Sequence, residues 1–166
     1  LLARLLPYSL IYTTAISLVT APLIIFGQMR FEGNYFFHLP SMLMTGFSIS
    51  VLALIVTWKT TQPSEGGSKM ILIVPPGFIL GGSLLASGYM PAWVNTVKFA
   101  FPLTWEYEFW RDFSMRGLPL VDMVKSYGQY ALYVTVITSI LAIIYFKTRI
   151  NYFEMKKLEQ KDGEKT

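Results

Sequence analysis

Four stretches of this chain carry no charged side chain, and each is about as long as a lipid bilayer is thick. They run from Leu5 to Met29, Gly33 to Trp58 (with His38 inside it), Met70 to Val97 and Ser126 to Phe146. A helix rises 1.5 Å per residue, so about 20 apolar residues cross a hydrocarbon core of about 30 Å. Buried helices of water-soluble proteins rarely run that far without a charge, and four in one short chain point to lipid as the solvent. The charge content agrees: 14% of residues are charged, against about 25% in soluble domains. The expected fold is therefore all-α, a polytopic membrane protein with four transmembrane helices at about 6–28, 39–58, 70–87 and 127–146. A short re-entrant helical hairpin at about 90–117 lies between the third and fourth. Residues 1–150 form the transmembrane domain and 151–166 a charged tail.

The spans differ in what they can pack against. Pro7 suits a first helical turn, while Pro22 should kink the first span. The second carries Ser41, Thr45, Gly46, Ser48, Ser50 and Ala53, small residues that let helix backbones approach in lipid, so it is expected to face protein. The third contains Pro75, Pro76, Gly77, Gly81 and Gly82, which predicts a broken helix, tolerated at membrane depth only against protein or a watery cavity. The loop Lys59 to Lys69 shows no secondary-structure pattern. The chain begins at Leu1 and enters its first span almost at once, which reads as the later part of a longer polypeptide.

Lys and Arg in short loops set orientation. With four spans, nine basic residues (Arg4, Lys59, Lys69, Lys147, Arg149, Lys156, Lys157, Lys161, Lys165) fall on one side. Five (Arg30, Lys98, Arg111, Arg116, Lys125) fall on the other, and each side has five acids. The richer side, with both chain ends, should be cytoplasmic. The segment Ser87 to Gly117 then lies outside. Pro91 can start a short helix carrying Trp93, Val97 and Phe101 on one face. Pro102 stops it, and Thr104 is the expected N-cap of a second helix in which Trp105, Phe109 and Phe113 share a face and Glu108 pairs with Arg111. Two amphipathic helices too short to span belong at or partway into the membrane surface.

Several chemistries are disfavoured. With no Cys and one His, neither disulfides nor a multi-ligand metal site is expected, and His38 reads as an interfacial side chain. "EGGSK" lacks the spacing of a phosphate loop, so no nucleotide or other cofactor is expected on this chain. Glu106, Glu108 and Asp112 read as a solvated, charge-balanced helix. A membrane-embedded enzyme would want ionisable groups within the spans, and none is expected there. Trp58, Trp93, Trp105 and Trp110 fall at span ends, as an aromatic belt would rather than a nucleic-acid platform, so nucleic acid is not an expected partner.

A broken span, then "SGYMPAW", "FPLTW", an Arg, "RG" and a last span with a basic tail resembles the C-terminal half of ABC-2 type transporter permeases. The matching residues are Pro75 or Pro76, Gly81 and Ser83, then Met90, Pro91 and Trp93, then Pro102, Leu103 and Thr104, then Arg111, Arg116 and Gly117. "ARLLPY" (Ala3 to Tyr8) is similar to the family's run into its third span, with Ala3 and Arg4 in place of Gly and Lys, and "ISVLALIVTWKTTQP" to the exit from its fourth. The first two spans of the family are absent, and Ser64–Glu65 stands where an Ala is common.

The resemblance implies a permease subunit of an ATP-driven exporter in a bacterial inner membrane. Its implied partners are the family's N-terminal half, a second permease subunit and cytoplasmic ATPases that bind the ATP. Family cargoes include drugs, lipids, polysaccharides and haem-related compounds. Thr45, Ser48, Gly81, Ser83 and Ser87 are candidate pathway positions; the motif residues Pro75, Pro76, Met90, Pro91, Trp93, Pro102, Thr104, Arg111, Arg116 and Gly117 are candidates for gating. A non-transporting membrane scaffold is the alternative, since packing residues look alike in both.

Overall fold

The computed structural model describes residues 2–27, 31–71, 73–83 and 90–163, with side chains described for 5–27, 31–62, 64–71, 73–81 and 90–151. All regular structure in it is helical. The long elements are α1 (Leu2–Ile25), α2 (Tyr35–Thr57) and α7 (Leu120–Gly163). Between α2 and α7 come α3 (Pro63–Met70), α4 (Val74–Phe78) with a π turn at Ile79–Ser83, and the hairpin. The hairpin consists of α5 (Ala92–Val97), a 3-10 turn at Lys98–Ala100, α6 (Pro102–Phe109) and a π segment at Trp110–Met115. Among the described residues, three stretches are long and apolar enough to cross a membrane: Leu5–Ile25, Tyr35–Thr57 and Leu120–Asn151.

The break expected in the third span is present among the described residues: Pro75 and Pro76 take the first turn of α4, where they lack the N–H groups that would propagate a helix from before them, and the chain passes directly from α4 into a wider turn. Residues 84–89, and with them Ser87, lie outside the described residues. The loop after α2 corrects an expectation, being more ordered than its composition suggests. Pro63 sits in the first turn of α3, Glu65 lies in that turn and Lys69 in the last, the two paired at 2.6 Å. Each charge faces the helix end of opposite partial charge.

The last long helix starts at Leu120 rather than near Tyr127. Gly117, at φ +63°, reverses the chain out of the hairpin, and α7 begins directly after Pro119. Asp122 and Lys125 do not delay it, since a helix end outside the lipid tolerates charge. Its 44 residues make about 66 Å, roughly twice the hydrocarbon core, so the first part of the tail prolongs the helix as expected.

α1 and α2 pack closely. A Cβ on Gly46 would stand 3.0 Å from the Tyr12 Cβ and 3.1 Å from the Ser9 Cα, and Ser9 donates to the Leu43 carbonyl at 2.7 Å. Leu5 of α1, Val51 of α2 and Ile137 and Leu141 of α7 form one buried cluster, and α2 is tied to α7 by the Trp58 indole donating to Thr148 at 3.0 Å. A second apolar cluster, Phe109, Phe113, Met123 and Tyr130, seats the hairpin on α7. Outward-facing Leu18, Val19, Ile25 and Phe26 on α1, and Leu132 and Ile143 on α7, are exposed, the arrangement that suits a lipid solvent.

Candidate functional site

The polar residues of α2 do not scatter. His38, Ser41, Thr45 and Ser48, spaced three, four and three apart, form one buried stripe, and the hairpin lays Glu106 across it. The His38 Nε2 lies 2.9 Å from Glu106 Oε1, off the direction of a ring N–H, so the two groups are in close polar contact without an aligned hydrogen bond. The Thr45 hydroxyl reaches Glu106 Oε2 at 2.8 Å and the Ser41 carbonyl at 2.9 Å, and Tyr130 from α7 meets it at 2.7 Å. One hydroxyl proton serves one acceptor at a time, so Tyr130 is positioned to donate into Thr45 while Thr45 donates onward. Ser41 Oγ stands 3.2 Å from His38 Nδ1 and donates to the His38 carbonyl at 2.9 Å. Trp110 packs edge-on against the imidazole, 5.0 Å between centroids.

The depth of this cluster matters. Thr45 is ten residues beyond Tyr35, about 15 Å along the helix, or about half the hydrocarbon core. Glu106 is therefore no solvated helix charge; it is 8% exposed and His38 1%. This corrects the expectation that Glu106 is a solvated charge; His38, three residues into α2, is buried by protein near the end of that helix. The signal was present in the sequence: Glu108 has Arg111 three residues on and Asp112 has Arg116 four on, whereas Glu106 has no base at either spacing.

The other charges behave as expected. Arg111 pairs with Glu108 at 2.6 Å and Arg116 with Asp112 at 2.9 Å. Lys98, buried against the Phe99 ring, reaches Glu108 at 2.9 Å. Burial pushes the Glu108 carboxyl up, but its hydrogen bonds to Arg111 and Lys98 and their charges outweigh that and hold it below the ordinary 4.5. A lowered carboxylate stabilises the fold above the ordinary value, and the contribution is lost as pH falls through the lower, folded one. Glu108→Gln should thus lower the melting temperature at neutral pH. The gap to the native protein should close on acidification, as thermal unfolding across a pH series in detergent will show; a gap that widens in acid would contradict the pairing.

The remaining candidates take structural places. Thr104 is not an N-cap: Pro102, with its fixed φ and absent N–H, takes the first turn after Phe101, and the Thr104 hydroxyl instead donates to the Lys98 carbonyl at 2.6 Å, tying α6 to the 3-10 turn. Ser48 donates to the Met44 carbonyl. Gly81 lets the broken segment approach the hairpin, since a Cβ there would stand 2.7 Å from the Tyr107 ring and 3.3 Å from the Thr104 Cα. Pro75 and Pro76 lie in α4, Met90 and Pro91 lead into α5, and Trp93 is exposed. The Ser83 side chain lies outside the described residues.

Ser41, His38 and Glu106 form the outline of a nucleophile relay, but Ser41 is fully buried and hydrogen-bonded to its own helix. A nucleophile must reach substrate, and Ser41 is closed off in this arrangement. No protein-family model, curated protein or solved structure matches the chain.

Proposed function

We propose that the chain is a membrane-spanning permease subunit of an ATP-driven exporter of the ABC-2 type. The observation that carries the reading is the hairpin. Two short helices bearing "MPAW", "PLT" and "R…RG" sit between α2 and α7 and against a Pro- and Gly-broken segment, in the order the resemblance requires. In this reading the segment Met70–Ser87 crosses the bilayer as an interrupted fourth span. Both ends of the chain are cytoplasmic, the hairpin enters from the outer face, and the membrane is a bacterial inner membrane. Two permease copies form the pathway, with Thr45, Ser48, Gly81, Ser83 and Ser87 as candidate lining positions. Cytoplasmic ATPases, absent from this chain, close on ATP and tilt the spans, and the broken span and hairpin gate the exit.

The test is affinity purification of the full-length protein from its native membrane. Recovery of a stoichiometric ATPase with a phosphate loop, and ATP-dependent export lost when that ATPase is inactivated, is the expected result. A stable assembly without any ATPase would overturn the exporter in favour of a scaffold.

A further inference from the structure

We propose that a groove between α1 and α2 holds one acyl chain of a phospholipid, whose anionic headgroup lies among the basic side chains at the groove's outer end. The site is independent of the exporter reading, because it needs only the two helices and the charges beside them.

The groove begins where the helices part. At Gly46 they meet closely, against Tyr12 and Ser9. Toward the start of α1 and the end of α2, Leu5, Tyr8, Ile49, Ser50, Ala53 and Thr57 line a cleft of about 700 Å³, within the roughly 300–1,000 Å³ of small-molecule sites. Ser50 and Ala53 are too short to fill it. The Ser50 hydroxyl is taken by the Gly46 carbonyl at 2.8 Å and that of Thr57 by the Ala53 carbonyl at 2.6 Å, so the walls offer an occupant mainly carbon.

The length of the cleft selects the occupant. From Ile49 to Thr57 is about 12 Å along the helix, against about 15 Å for half the hydrocarbon core. The cleft therefore runs the depth of one leaflet, and the close contact at Gly46 shuts its inner end. A helix from a second copy would press along both leaflets, whereas one acyl chain needs only this depth. The Trp58 indole and Tyr145 ring, edge to face at 6.3 Å, mark the outer end as the level of the headgroups.

Charge selects the lipid. Thr57 lies under α3, where a Cβ on Gly66 would stand 3.5 Å from its Cγ2, and Lys69 of α3 donates to Thr60 at 3.0 Å. Lys59 is exposed in the turn that ends α2, Arg4 precedes Leu5 in α1, and Lys147 and Arg149 flank Thr148. The segments that converge here, 2–9, 57–70 and 141–151, hold these five basic residues and one acid, Glu65, which pairs with Lys69. Each Lys or Arg beside an anionic headgroup strengthens binding about fivefold.

Native mass spectrometry of the full-length protein, released from mixed micelles of phosphatidylglycerol and phosphatidylcholine with identical chains, reads the occupant. We expect one phosphatidylglycerol retained with a preference of about tenfold or more. Lys59→Gln should weaken that retention about fivefold, while Lys125→Gln, at the opposite end of α7, should not. Ala53→Phe fills the groove and should abolish retention of either lipid; Ala53→Leu, a milder filling, replaces it if it does not fold. No headgroup preference in the native protein would overturn the site, as would equal losses at Lys59 and Lys125, which mean diffuse attraction. A filled groove that still retains the lipid places it elsewhere. A filled groove that turns dimers into monomers with the lipid count unchanged makes this face an interface between copies, and the lipid assignment falls.

Discussion

Glu106→Ala should cost about 3 kcal/mol of stability, the upper end of the usual loss when buried polar groups are left without a partner. The argument is one of reference states. The carboxylate meets His38 through one oxygen and Thr45 through the other; deletion leaves the buried His38 Nε2 facing a void and Thr45 with only the Ser41 carbonyl to donate to. Glu106→Gln should cost far less, on the order of 1 kcal/mol, because an amide still offers a donor and an acceptor. The proper comparison is Glu108→Ala, two residues along the same helix. Glu108 has two cationic partners against the one of Glu106, yet its side chain is 25% exposed where that of Glu106 is 10%. Pairs open to water are worth about 0–1 kcal/mol. Counting salt bridges predicts that Glu108 matters more; burial predicts the reverse. Unfolding in mixed micelles, followed by the fluorescence of Trp105 and Trp110 on either side, decides between them. Equal losses at the two positions would mean that Glu106 reaches water after all.

The contrast shows which parts of this molecule the sequence makes legible. Long charge-free runs announce α1, α2 and α7, because lipid imposes a length on any helix that crosses it. The hairpin is readable in outline, since Pro91 marks one helix start and Gly117 the exit, but Pro102 reads as a stop and Thr104 as a cap where the second helix in fact starts at Pro102. The buried cluster is harder. Glu106 lies in a segment whose other charges are wet, and nothing local says which acid turns inward. Its missing i+3 and i+4 base, set beside the polar stripe of α2, is a pairwise signal across 61 residues, and only tertiary packing joins the two. The start of α7 is misread for a simpler reason: a charge-free window marks what can lie in lipid, not where a helix begins.

Tyr130→Ala is the second substitution with a large expected effect, a loss of about 3–5 kcal/mol, as for other large buried aromatics. Three elements meet on this ring. Its face stacks on Trp105 of the hairpin with centroids 5.2 Å apart and planes 6° from parallel, its edge packs near Phe109, and its hydroxyl reaches Thr45 on α2. Removing the ring empties the centre of the cluster of Phe109, Phe113 and Met123 that seats the hairpin, and neither helix nor hairpin can close the gap without breaking the Glu106 contacts beside it. Tyr130→Phe separates the two contributions: it keeps the stack and removes only the hydroxyl, and should cost about 1 kcal/mol. Thr45→Val should cost a similar amount, and the double variant should cost less than the sum, because each single change already breaks the same hydrogen bond. A thermodynamic cycle over Thr45→Val and Tyr130→Phe, measured by unfolding in micelles, reads that coupling directly. Strict additivity would mean that the two hydroxyls do not bond, and the path from α7 through Thr45 to the buried carboxylate would be broken at its first link.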